Sequence, residues 1–150
     1  MLLQRNKKIL SPRELIPNIK SIVEEGGVFP LVVTGVSMRP FLTPEKDTVF
    51  IEKALPDELK KGDVVLIYRS GVPLLHRIYR LDKKGFFLIG DAHTKQDGFF
   101  FNEELIGIAK YATNSSSNKK KKLNTPMLRL LVKINRVRIH LFNKIKRNES

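Results

Sequence analysis

Cysteine is absent from the chain, which excludes disulfides, thiolate catalysis and cysteine-based metal sites while leaving the compartment open. Long apolar runs are absent too. The longest charge-free apolar stretch, Gly26 to Met38, contains Pro30, three glycines, Thr34 and Ser37. A membrane-spanning helix needs roughly 20 mostly apolar residues, so this run is too short and too broken. The segment Met1 to Leu10 is polar and basic and lacks the apolar core of a secretory signal. These absences give the expectation of a cytoplasmic chain, peripheral at most to the inner membrane face. Acid is also scarce at one end. From Lys119 to Ser150 eleven Lys/Arg stand beside one acid, Glu149, whereas the first 118 residues hold 17 basic and 14 acidic side chains. The net charge of +13 therefore belongs to a tail and says little about a folded domain.

What is present fits one domain with an appendage: 150 residues, 41% hydrophobic and 29% charged. Ser11 to Glu25 reads as a helix. Ser11 and Glu14 match a capping box, Pro12 takes the first helical position, and Leu15, Ile19, Ile22 and Val23 form an apolar face ended by Gly26-Gly27. Pro17 conflicts with this and predicts a kink or a delayed start. Six runs rich in branched and aromatic residues then read as strands: Val28–Thr34, Thr48–Glu52, Asp63–Tyr68, Leu74–Leu81, Gly85–Ile89 and Leu105–Tyr111. With no helices alternating between them, they predict a mainly β fold, an antiparallel sheet curled toward a partial barrel. Thr113 to Lys122 looks too polar to pack. The expected organisation is a helical segment over 1–27, a β-rich domain over 28–112, a polar basic linker over 113–126 and a basic amphipathic helix over 127–147.

The chemistry concentrates in a few places. In Thr34-Gly35-Val36-Ser37-Met38-Arg39-Pro40 a serine follows an apolar strand in a turn, a position that can hold a hydroxyl rigid and exposed. Most serines after glycines are merely turn residues. In Leu74-Leu75-His76-Arg77-Ile78 a lone imidazole sits in an apolar strand, where a core histidine is the commoner role. A base for Ser37 would need a carboxylate on the far ring nitrogen. Two are available, Asp91 and Asp97, in the loop Gly90-Asp91-Ala92-His93-Thr94-Lys95-Gln96-Asp97.

Gly35-x-Ser37-Met38-x-Pro40, Lys61-Gly62-Asp63-Val64-Val65, His76-Arg77-Ile78 and Gly90-Asp91 with Asp97, in that order, resemble the signal peptidase I superfamily, which includes the self-cleaving SOS repressors. The resemblance covers about residues 28 to 112 and implies a serine endopeptidase. It implies Ser37 as nucleophile, His76 as base and Asp97 as the orienting carboxylate, with Asp91 a structural or alternative partner. Backbone donors around Ser37, with Gly35, Val36 and Met38, would form the oxyanion and substrate-binding strip, and no metal or cofactor is implied. Histidine at position 76 resembles the endoplasmic-reticulum-type branch rather than the lysine-base branch. Three features depart from the family pattern: Gly35 where many bacterial relatives carry a hydroxyl, Lys46-Asp47 in place of a Gly-Asp turn, and the lack of a spanning anchor. The expected substrate is an extended leader or precursor peptide bound along a sheet edge. A peptide-binding or escort module on the same fold is the alternative. A self-cleaving regulator would need an attached DNA-binding domain, for which the residues before the first strand are too few.

In the tail, Met127, Leu130, Leu131, Ile134, Val137, Leu141, Phe142 and Ile145 share one helical face, interrupted by Arg138. Arg129, Lys133, Arg136, Lys144 and Arg147 lie opposite. Lys119 to Arg147 therefore suits an anionic membrane surface, while the apolar face would equally suit the chain's own domain or a partner. Nucleic acid is the poorer fit, because Phe142 is the strip's one aromatic for stacking on bases.

Overall fold

A computed structural model describes residues 11–149. Met1 to Leu10, read above as a polar basic segment, and Ser150 lie outside the described residues. Helix α1 spans Pro12–Glu24. Its cap is reciprocal: the Glu14 N–H donates to Ser11 Oγ, and the Ser11 N–H donates to Glu14 Oε2 at 2.9 Å. The expected kink does not interrupt the helix. Pro17 is exposed and sits inside one continuous element, where the only intrahelical bond it removes is its own N–H to the Arg13 carbonyl. The buried face is Ile16, Ile19 and Val23, while Ile22 stays 38% exposed.

Eight strands follow: β1 (Phe29–Val32), β2 (Asp47–Glu52), β3 (Val64–Arg69), β4 (Val72–Asp82), β5 (Gly85–Ile89), β6 (Gly98–Phe101), β7 (Leu105–Asn114) and β8 (Lys120–Lys122). All pairings are antiparallel, in the order β1-β2-β7-β3-β4-β5-β6 with β8 beside β7. The sheet is open, with β1 and β6 at its ends, as the mainly β expectation requires. It curls because β4 is long enough to serve two partners. Val72 to Arg77 pairs with β3, and Arg77 to Asp82 pairs with β5 across a register shift at Ile78/Arg80. Two apolar cores result. One lies under α1 and contains Ile19, Leu42, Ile51 and Leu66; the other contains Val65, Ile67, Ile78, Phe86 and Leu88.

Two strands lie outside the sequence expectation. β6 is a Gly-Phe-Phe-Phe run paired with β5. β8 falls in the stretch expected to be too polar to pack. Its three lysines are exposed, but a strand edge pairs through backbone, which charge does not prevent. Leu123 then anchors the segment at 1% exposure, and Lys121 Nζ donates to the Phe41 carbonyl and to buried Asp47. Helix α2 spans Pro126–Asn148 and is capped by Thr125, whose hydroxyl accepts from the Leu128 N–H. Val132 is its buried residue. Arg136, expected on the solvated face, instead turns inward and lies 3.8 Å from Asp91. The apolar face, for which the chain's own domain was one candidate, is not packed on it: Leu130, Ile134, Leu141 and Phe142 are all more than half exposed. Among the described residues no helix is long and apolar enough to cross a membrane.

Candidate active site

Ser37 sits in the turn that follows β1. Its geometry is set from both sides. Val33, the first residue past β1, donates its N–H to the Asp47 carbonyl and accepts from Glu45, while Met38 is buried and accepts from the Phe41 and Leu42 N–H groups. The apolar side chain after the serine thus nails the turn into the core, and the hydroxyl projects where the chain is partly exposed. Among the described residues, the backbone N–H groups of Ser37 and Met38 donate to no protein acceptor. They are available to a developing oxyanion.

His76 lies in β4 at 2% exposure. Its Nε2 is 2.8 Å from Ser37 Oγ, and its Nδ1 is 2.5 Å from Asp97 Oδ2. A proton on Nδ1 donated to Asp97 leaves Nε2 as the acceptor for the serine proton. Burial pushes the imidazole below its ordinary value, and the hydrogen bond and charge of Asp97 oppose that push without cancelling it. This favours the neutral ring, the form in which an imidazole can accept a proton.

The β5–β6 loop carries the carboxylates. Asp97 is fixed by its N–H donated to the Leu88 carbonyl at 2.8 Å. Asp91 is fully buried and turned away from His76: Arg77 donates to it through Nε at 2.8 Å and Nη2 at 2.7 Å. Arg77 Nη1 also donates to the carbonyls of Gly62 and Leu123, tying the site to the segment before α2. Of the sequence candidates, Ser37, His76 and Asp97 come together, whereas Asp91 acts one layer behind them. Gly35 and Met38 line a cavity of about 360 Å³ that opens beside Ser37, together with Leu31, Thr34, Leu74 and Leu75. Val36 is 60% exposed, and its carbonyl accepts the Arg39 N–H to close the turn.

Two residues were not singled out from the sequence. Gly90 lies where a Cβ would come within 2.8 Å of the Ser37 carbonyl oxygen and 3.2 Å of His76 Nε2. The next residue but one, Ala92, donates its N–H to that same Ser37 oxygen at 2.9 Å. The Gly-Asp pair was the signal, but it read as a turn rather than as a close approach. His93 sets its ring edge-on to His76, with centroids 5.5 Å apart. His76, His93 and Asp97 offer ligand atoms within 4.8 Å of one another, so they could approach a divalent cation. Taking one up would compete with the His76–Asp97 hydrogen bond.

A buried imidazole between a hydroxyl and a carboxylate, on a curled antiparallel sheet with an apolar cavity at the hydroxyl, fits a serine peptidase-type fold. Residues 5–110 match the Peptidase S24-like family, and the chain belongs to that family. This membership supports the wider superfamily that the ordered motifs resemble. Comparison with curated proteins returns no match.

Proposed function

We propose that the protein is a serine endopeptidase of the signal peptidase I type, of the histidine-base branch, that cleaves an extended leader or precursor peptide. The observation that carries this reading is the continuous Ser37–His76–Asp97 hydrogen-bond chain at 2.8 and 2.5 Å beside an apolar cavity. Ser37 Oγ attacks the scissile carbonyl carbon as its proton passes to His76 Nε2. Asp97 stabilises the imidazolium, and the Ser37 and Met38 N–H groups receive the oxyanion. The tetrahedral intermediate collapses when Nε2 gives the proton to the leaving amine. A water deprotonated by the same nitrogen then attacks the acyl-enzyme, releasing the acid and restoring Ser37.

The peptide would lie in the cavity as an added strand. In β4, Val72 to His76 pair with β3 on one side only. The opposite edge of this segment, with Thr34 and Gly35 beyond β1, borders the cavity and offers backbone partners to an extended chain. The apolar lining favours an uncharged side chain near the cleaved bond. The escort alternative is weaker, since a recognition groove has no use for a hydroxyl held within proton-transfer distance of a neutral imidazole. Incubating wild type and Ser37→Ala with a mixed peptide library and comparing product masses tests the proposal. Cleavage by wild type alone is expected, and identical product patterns would overturn it.

A further inference from the structure

Helix α2 carries a surface that peptide cleavage leaves unused. Its inward side is occupied: Val132 is buried, Asn135 Nδ2 donates to the Asp91 carbonyl at 3.3 Å, Arg136 approaches the Asp91 carboxylate, and Ile139 and Asn143 border the loop that ends in Asp97. Its outward side is apolar and uncovered. Leu130, Leu131, Ile134, Val137, Leu141 and Phe142 are 45% to 65% exposed. At 100° per residue they form one stripe, with Lys133 and Lys144 along one edge, Arg129 and Arg147 beyond them, and Arg138 inside it. The helix contains no Asp or Glu.

We propose that this stripe inserts into the interface of an anionic lipid membrane, with α2 lying in the plane of the surface and the folded domain carried on its inner side. The charge pattern selects this occupant. The chain's own domain already holds the opposite face, so it cannot also cover the stripe. A second copy would set cation against cation, Arg138 included, with no acid on either helix to answer them. A negatively charged leaflet answers both features at once: headgroups meet the flanking Lys and Arg, and the acyl boundary receives the apolar side chains. Arg138 and the flanking lysines have stems long enough to reach the headgroups. The geometry would hold the Asp97 loop about one helix diameter, ~10 Å, from the surface. This inference stands whether or not the chain cleaves peptides.

The test is co-sedimentation of the full chain with vesicles of phosphatidylglycerol mixed with phosphatidylcholine, against phosphatidylcholine alone. Wild type is expected to pellet with the anionic vesicles and much less with the neutral ones. Ile134→Asp and Phe142→Asp, both at exposed positions, should each weaken binding by about tenfold or more with thermal stability unchanged. Absence of binding to anionic vesicles would overturn the proposal. So would Asp variants that bind as well as wild type, because charge alone would then account for adsorption. A lipid-free dimer abolished by Ile134→Asp, together with no vesicle binding, would assign the stripe to a second copy instead.

Discussion

Arg77 grips both carboxylate oxygens of Asp91, at 2.8 and 2.7 Å, in a contact where the two side chains are 3% and 0% exposed. The residue before it, His76, turns the other way. Neighbours on a strand face opposite sides of the sheet: His76 follows Leu74 and precedes Ile78 on the side of the second core, and Arg77 lies with Leu75 toward the first. This alternation assigns one carboxylate to each residue. Asp97 goes to the imidazole and Asp91 to the arginine, so the Ser37–His76–Asp97 hydrogen-bond chain and the buried ion pair stay separate although their strand positions adjoin.

Breaking that ion pair is expected to unfold the site rather than slow it selectively. Leaving one buried charge without its partner costs about 3–5 kcal/mol, so Asp91→Ala or Arg77→Ala should each lower the unfolding free energy by that order. Replacing both with apolar residues of similar size should recover part of the loss. Urea titration of the two single variants and the double variant checks this, and strictly additive losses would contradict it.

Asp97→Asn should retain the fold and lose activity. An amide carbonyl can accept the Nδ1 proton but cannot neutralise the imidazolium, and an amide N–H there would select the wrong tautomer; such a change costs about 10⁴-fold in kcat in serine peptidases built this way. The pH profile adds a sign. Burial already sets the His76 titration below 6.5, and Asp97 is the main group that draws it upward, with a smaller pull from the charge of Asp91. The acid limb of kcat/KM should therefore lie below pH 6.5 in wild type and move lower still in the variant. Movement toward higher pH would contradict the arrangement.

Gly90→Ala tests the close approach of the β5–β6 loop to Ser37. The added methyl would lie 2.8 Å from both the Ser37 carbonyl oxygen and His93 Nδ1 and 3.2 Å from His76 Nε2. The Ser37 backbone must therefore shift, and since a misplacement of about 1 Å costs about 10²-fold in rate, a loss of up to that order is expected. Steady-state kinetics of this variant should show the loss mainly in kcat. Wild-type kcat would mean that the loop yields without moving the site.

Asp47 should contribute acid-sensitive stability. Burial raises its carboxyl pKa, but the Thr43 N–H, the Asn114 amide and Lys121 together hold it below the ordinary value of 3.8. A depressed folded-state pKa gives stability that is complete above the unfolded value and is lost as pH falls through the lower folded value. Asp47→Asn should destabilise the protein by about 1–3 kcal/mol at neutral pH and flatten its stability between pH 5 and 2. Thermal melts across that range measure it.

Much of the fold is legible because strand signals here are local. Branched and aromatic runs bounded by Lys61-Gly62-Asp63, Ser70-Gly71 and Asp82–Gly85 place β2 to β5 and β7 within a few residues. β6 was hidden behind the loop from Gly90 to Asp97, since four residues after a turn-rich segment carry no period. β8 was hidden because three lysines say nothing about backbone pairing, and its cause lies in Leu123 and Asp47, which are distant in sequence. In the site, the order of the motifs singles out Ser37 and His76 as candidates. Choosing between Asp91 and Asp97 requires knowing which side of β4 each faces, and that depends on register. The inward turn of Arg136 was likewise invisible to helical periodicity, which reports a stripe but not what covers the other side.

The account rests on activation of the Ser37 hydroxyl by His76, and a serine-directed acylating or phosphonylating reagent reads that directly without knowledge of the substrate. Intact-mass and peptide mapping should find one adduct per chain, on Ser37. Its rate should rise with pH along the His76 titration and fall sharply in His76→Gln. Labelling no faster than that of the other serines, or unaffected by His76→Gln, would contradict the account.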